Sequence, residues 1–412
     1  MVYGALAFFF ISILSSIFNN FFLLTSNYLF FSTYFNVLPL ILLISGGFFF
    51  FLSYVLSFQR ITVSFFSNII FLSFLPLVYL FISTNNVLVF FMCYEYFLLP
   101  SFLIVFFNSP NRRGVVASIY FLMWTQVGSF LVFVSIMGFI FFYNTYWVYA
   151  WGCSSTSLTF IALVGFGIKI PVWPAHYWLT KTHVEAPTYF SIYLSGFLVK
   201  TALYGVWIFI NTPQPLIQYI LIVLGSIGVI DSSVKMWGQV DLKKLVAYGT
   251  IQEMNMILIG FSVGSLDVVK YVSLFILAHT ILSTIFFLIV DSLYRRYSSR
   301  SILVIRGVIN ASPQLGSIII LAIVLFAGLP LTLKFSVEVC IFNQLLLTDF
   351  GAGVIMLVVC NWIGLVCFSK HWLLLLFGTN KHVLTLITFK EKLLFTNLFL
   401  LLVILTPVSF IF

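Results

Sequence analysis

The chain has 412 residues, of which 62% are hydrophobic and only 7% charged, with 19 Lys plus Arg against 10 Asp plus Glu. A soluble domain carries about 25% charged residues, so this composition excludes a water-soluble or disordered chain and makes lipid the solvent. The apolar runs are continuous rather than alternating, which excludes a β-barrel.

Thirteen segments are apolar over the roughly 20 residues a helix needs to cross a bilayer, so an all-α polytopic membrane protein is expected. The first span lies within 2–31, and the next are 36–58, 62–83, 86–107 and 115–142. The sixth, 157–180, is interrupted at Pro171 and Pro174; then come 187–210, 216–237, 243–263 and 269–291. The eleventh, 312–346, is broken near Gly328-Leu329-Pro330, and 350–370 and 393–412 complete the series. About ten residues remain per connection, too few for a soluble domain. The N-terminus has no basic stretch ahead of its apolar run, so no cleavable signal is expected.

Charge placement tests this count. Connections after even-numbered spans hold Arg60, Arg112, Arg113, Lys181, Lys235, Lys243, Lys244, Arg295, Arg296, Arg300, Arg306, Lys370, Lys381, Lys390 and Lys392. Those after odd-numbered spans hold only Lys270. An error in the middle of the count would scramble this asymmetry, which places all fifteen on one membrane side, with the N-terminus, and the C-terminus opposite. The +9 net charge thus reports topology rather than nucleic-acid binding. The 51 Phe fit lipid and an AT-rich organellar genome.

The spans also repeat. Glu95 lies 76 residues before Pro171, and Glu253 lies 77 before Pro330. The expected units are 1–61, a first five-helix repeat at 62–210, a second at 216–370, and a connecting segment with the last helix at 371–412. Five is odd, so the repeats would be inverted, each with one proline-broken helix, as in ion-coupled transporters.

Seven ionisable side chains fall inside spans: Glu95, Lys169, Lys200, Glu253, His279, Lys334 and Glu338. Unpaired, they would cost roughly 17–25 kcal/mol on insertion scales, so they must pair or face a polar interior. Acids, lysines and a histidine along a membrane interior suit proton relay, because moving one charge changes the proton affinity of the next group. Taken singly, His279 could be a hydrogen-bonded core histidine, and Lys334 with Glu338, four apart, a neutralised pair. Asp231 and Lys235 read as an interfacial ion pair, and His176 and His183 as structural. There is no GxGxxG after a strand and no GxxxxGK[ST]. The five Cys (Cys93, Cys153, Cys340, Cys360 and Cys367) form no CxxC, so no metal or cofactor is expected on this chain.

Phe166-Gly167-Ile168-Lys169-Ile170-Pro171, Pro174-Ala175-His176-Tyr177-Trp178-Leu179 and Lys181-Thr182-His183-Val184-Glu185-Ala186-Pro187 form a long, specific block. With Leu198-Val199-Lys200-Thr201-Ala202-Leu203-Tyr204-Gly205, Asp241-Leu242-Lys243-Lys244-Leu245, Ala278-His279 and Tyr94-Glu95-Tyr96-Phe97-Leu98-Leu99-Pro100, it resembles the antiporter-like subunits of respiratory complex I, nearest their mitochondrial subunit-4 group. The resemblance runs from about residue 36 to the C-terminus.

What it implies is a proton-translocating membrane-arm subunit of the mitochondrial inner membrane, N-terminus in the matrix and C-terminus in the intermembrane space. Its partners would be other membrane-arm subunits, including neighbouring antiporter-like ones, and membrane lipids. Flavin mononucleotide, iron–sulfur clusters and ubiquinone would belong to other subunits. Glu95 and Lys169 would form a working ion pair, Lys200 the central lysine, His279 its continuation, and Glu338 the terminal acid. Three departures stand out. Glu253 replaces a histidine expected between Lys200 and His279, which makes it a candidate partner of Lys200. Lys334 stands where relatives have Asn, and would hold Glu338 ionised. One span is missing before the matched region. A free-standing cation/proton antiporter subunit, or a structural subunit that has lost pumping, are the competing readings.

Overall fold

The computed structural model describes residues 76–406, apart from 79, 83, 110, 148–155, 210–214, 264–265, 348–350 and 379–386. The expected first two spans, and most of the third, lie outside the described residues. Among the described residues the chain is helical, with no β-strand and two isolated backbone bridges, Asn86 with Trp147 and Asp241 with Ser301.

The helices run α1 (Val87–Tyr96), α2 (Leu98–Asn108), α3 (Arg112–Tyr143), α4 (Thr156–Lys169), α5 (Tyr177–Glu185), α6 (Thr188–Tyr193) and α7 (Val199–Phe209). They continue as α8 (Pro215–Trp237), α9 (Leu242–Val263), α10 (Leu266–Tyr297), α11 (Val308–Ala311), α12 (Pro313–Phe326), α13 (Leu333–Leu346), α14 (Gly351–Leu376) and α15 (Phe389–Leu405). Among the described residues, six stretches are long and apolar enough to cross a membrane. Two of these form the centre of the bundle: Thr188–Phe209, 94% buried in its apolar window, and Tyr271–Tyr297, wholly buried there. The α3, α8 and α14 spans instead expose broad apolar faces, as a lipid-facing surface requires.

Contacts between distant connections bear on the charge asymmetry. Lys243 donates to the Ala186 carbonyl, and Arg300 donates to the Val184 carbonyl at 2.6 Å. Asp241 bridges Ser301, and the Lys370 ammonium lies 4.1 Å from the centre of the Trp237 ring. Four of the basic connections therefore meet at one end of the bundle.

Local chemistry explains where helices break. Pro100 has no N–H for the Tyr96 carbonyl, and the α-helical pattern lapses at Phe97, between α1 and α2, while the backbone stays in the right-handed helical region. Between α4 and α5 the helix opens at Pro171, and the freed carbonyls find distant donors. Trp178 Nε1 donates to the Ile168 carbonyl at 2.9 Å, and Asn255 Nδ2 to the Pro171 carbonyl at 3.4 Å. The second break, Ala327–Thr332, separates α12 from α13 and contains Gly328 in the left-handed region at φ 66°. Close approach of α3 to α4 rests on paired glycines: a Cβ on Gly165 would lie 2.6 Å from the Gly128 carbonyl oxygen.

Candidate functional site

Lys200 opens the site. The five residues before Val199, Leu194–Leu198, form a π-helical turn rather than an α-turn. Such turns widen the hydrogen-bond ring and leave carbonyls available to side chains. The Lys200 ammonium donates to the Ser195 carbonyl on that turn. It also lies 2.8 Å from His279 Nδ1, at the middle of the buried α10.

From His279 the polar contacts continue without leaving the interior. His279 Nε2 faces Glu253 Oε2 at 3.8 Å, and neither atom has another hydrogen-bond partner. Glu253 Oε1 accepts from Lys334 Nζ at 2.5 Å. Lys334 sits at the second residue of α13, whose first turn is capped by the Thr332 hydroxyl. Its ammonium reaches back across the break to the Phe326 carbonyl at 2.7 Å, at the C-terminus of α12. A cation there satisfies a carbonyl the broken helix leaves open and meets the negative end of the helix dipole. Glu338, one turn along α13, has its Oε1 3.7 Å from Lys334 Nζ and accepts from Asn361 Nδ2 at 3.4 Å. Gln252 Nε2 donates to Asn361 Oδ1 at 2.9 Å and completes the string.

Thus Lys200, His279, Glu253, Lys334 and Glu338, all buried, form one line of alternating proton donors and acceptors. Burial of this kind is tolerable only because each charge faces an opposite one or a carbonyl.

Two sequence expectations change here. Glu253 does not bridge Lys200 and His279; it lies beyond His279, and its cation is Lys334. Correspondingly, Lys334 is held chiefly by Glu253 and the Phe326 carbonyl, with Glu338 its more distant carboxylate. The reason is geometric. The i,i+4 spacing puts Lys334 and Glu338 on one face of α13, and that face packs against α9, which presents Glu253 at closer range.

Glu95 and Lys169 form a separate cluster. Among the described residues they make no ion pair with each other, and no contact joins Lys169 to Lys200. The Lys169 ammonium sits 3.3 Å from the centre of the Tyr94 ring, a cation–π contact, and 3.5 Å from the Tyr94 carbonyl. Glu95 Oε2 accepts from Gln126 Nε2 at 3.4 Å, while its Oε1 is buried without a partner.

The family described as NADH:quinone oxidoreductase/Mrp antiporter, TM, matches residues 84–364, which contain both clusters. The chain belongs to this family. It is 46% identical over 312 residues to the NADH-ubiquinone oxidoreductase chain 4 of Paramecium tetraurelia, covering 74% of this chain and 66% of that one. Chain 4 of Chondrus crispus is 29% identical over 269 residues, covering 63% and 55%. The chain thus spans between about half and two thirds of these relatives' lengths. Among solved structures, a chain of respiratory complex I from Thermus thermophilus with bound Aureothin superimposes with a TM-score of 0.77 at 15% identity, over 90% of this chain and 84% of that one. At that identity the likeness concerns the fold.

Several site residues are not ionisable, and a survey of charges passes over them. Gln126, Gln252 and Asn361 are amides inside otherwise apolar helices; the amide itself, costly in lipid unless bonded, was the available signal. His176 and His183 behave differently from one another. His176 is bound at 3.1 Å to both Asp231 Oδ2 and Lys235 Nζ, so the Asp231–Lys235 pair belongs to a larger knot that also includes the Tyr177 hydroxyl, 3.0 Å from Lys235. His183, in the connection before the Thr188–Phe209 span, is fully buried and stacked on Phe287, with neither ring nitrogen hydrogen-bonded. Burial, then Lys243 and Lys200, push its imidazole down to about 3, so it stays neutral at physiological pH. Among the described residues no group of three or more His, Cys, Asp or Glu gathers to hold a metal ion.

Proposed function

We propose that this chain is a proton-translocating membrane-arm subunit of mitochondrial NADH:ubiquinone oxidoreductase, of the chain-4 type. One observation carries the reading: the buried string from Lys200 to Glu338, in which no gap between successive polar atoms exceeds 3.8 Å. A proton leaving Lys200 has His279 Nδ1 as its nearest side-chain acceptor. Loss from the far ring nitrogen faces Glu253, and neutralising Glu253 frees Lys334 to turn toward Glu338. Each transfer changes the charge beside the next group, so protonation is coupled along the line. In the first repeat, Glu95 and Lys169 would act as the pair that opens and closes against Lys200.

Electron transfer would occur elsewhere, on flavin mononucleotide, iron–sulfur clusters and ubiquinone held by other subunits. The repeats at 62–210 and 216–370 would be related by inversion, and the basic connections would face the matrix of the inner membrane. Neighbouring antiporter-like subunits would receive the charge state of Glu338.

Affinity isolation of the tagged chain from its native membrane tests the assembly. Recovery with flavin, iron–sulfur clusters and NADH:quinone activity is expected. Recovery without them, with cation/proton exchange in vesicles, would instead favour a free-standing antiporter subunit. Within the assembly, Lys200→Ala should lower the protons moved per electron while NADH oxidation by a water-soluble acceptor persists. An unchanged proton-to-electron ratio would leave only a structural role.

A further inference from the structure

Two cations at the basic end take no part in the polar string. Arg306, in the connection after α10, and Lys370, near the end of α14, are both exposed and line one groove of about 650 Å³. No Asp or Glu lines that groove, and neither cation forms an ion pair among the described residues. The Arg306 backbone is held in place: the Gly307 N–H donates to the Phe377 carbonyl at 3.1 Å, and Gly378 packs against the Arg306 Cβ in a conformation, φ 118°, that only glycine readily adopts.

Below the cations the surface is apolar. A second groove of about 470 Å³, lined by Trp237 and Trp362 among others, shares Val366 with the first. Lys370, Val366 and Trp362 recur every four residues and so lie on one face of α14. The twelve residues from Lys370 back to Val358, which lines the second groove, span about 18 Å of helix. That is close to the depth of one leaflet, half of a hydrocarbon core about 30 Å thick. Two cations with no carboxylate partner among the described residues, at the head of a leaflet-deep apolar trough, match a phosphate carried on acyl chains. A soluble anion would leave the trough unused. A protein surface would have to supply carboxylates to neutralise the pair.

We propose that this face of the chain holds one anionic phospholipid, its phosphate between Arg306 and Lys370 and its acyl chains along the grooves that meet at Val366. The site lies on the exposed side of α14 and stands independently of the relay.

The test uses the full chain with whatever assembly it carries, in nanodiscs of phosphatidylcholine and phosphatidylglycerol, with retained lipid measured by mass spectrometry after exchange. Wild type should retain phosphatidylglycerol selectively. Arg306→Gln with Lys370→Gln should lower that selectivity roughly thirtyfold, the combined effect of two surface cations. Val366→Trp, which fills the junction and keeps both charges, should also release the lipid, and it decides the matter if the double variant does not fold. Equal retention in these variants would overturn the proposal. So would release by soluble glycerol phosphate, which marks a headgroup-only anion site, or a photoactivatable group at Val366 that cross-links to another protein instead of lipid.

Discussion

Glu253→Gln separates what the string does for stability from what it does for transport. In the native chain Lys334 Nζ is 2.5 Å from Glu253 and 3.7 Å from Glu338. At an effective dielectric constant of about 20, unit charges at these separations attract by roughly 7 and 4–5 kcal/mol. The Gln variant loses the larger attraction, but Lys334 keeps the Phe326 carbonyl and can close on Glu338. The net cost should therefore be the difference between the two, about 2–3 kcal/mol, below the ~3–5 kcal/mol typical of breaking a buried pair outright. Lys334→Met removes the cation that lies between the buried Glu253 and Glu338 carboxylates and should cost the full ~3–5 kcal/mol or more. The double variant takes out both partners, and should be more stable than Lys334→Met alone, which requires a coupling energy larger than the roughly 2–3 kcal/mol that Glu253→Gln costs by itself. Thermal unfolding of the purified chain gives these values, and dye-reported proton uptake driven by NADH oxidation in proteoliposomes of the whole assembly gives transport. Transport should fail in all three, because the line between His279 and Glu338 is cut in each. Additive losses of stability in the double variant, or a Glu253→Gln protein that pumps normally, would refute the pairing or the relay respectively.

Three further outcomes follow from the packing. His183, held down to about 3 against an ordinary value near 6.5, makes the unfolded chain bind more protons between those limits. Its contribution is complete above about pH 6.5 and is lost as pH falls toward 3, at up to ~1.4 kcal/mol per pH unit; His183→Phe should flatten the melting temperature between pH 7.5 and 5, and an unchanged slope would assign it elsewhere. Gly165→Ala puts a methyl 2.6 Å from the Gly128 carbonyl oxygen and 2.8 Å from Val132 Cγ2. This overpacking should cost about 1–3 kcal/mol and lower the melting temperature, whereas wild-type stability would mean that α3 and α4 separate freely. Arg296 donates to Glu391 at 2.8 Å, tying α10 to the first turn of α15, where Glu391 also closes a capping box with Thr388. Glu391→Gln should cost about 1.5–3 kcal/mol and speed amide exchange in Phe389–Leu405, with unaltered exchange counting against the tie.

The chain's own residues were enough to establish its solvent, its class and its family resemblance, and to single out the few charges that fall inside spans. Those properties follow from composition: lipid makes every internal charge expensive, so the few that occur stand out against the apolar background. The proline positions marked both broken helices for the same reason, since a missing N–H is a local fact. Which charge faces which was decided only by tertiary structure. Lys334 and Glu253 are 81 residues apart in sequence, and nothing in spacing along α13 can rank a carboxylate on α9 above the one four residues away. Likewise Lys200 meets His279 from 79 residues away, and the Lys169 ammonium lies against the Tyr94 ring with Glu95 acting on it from beyond ion-pair range. Periodicity assigns a residue to a helix face. The neighbour that face meets depends on how whole helices pack, and that is a property of the bundle rather than of any segment within it.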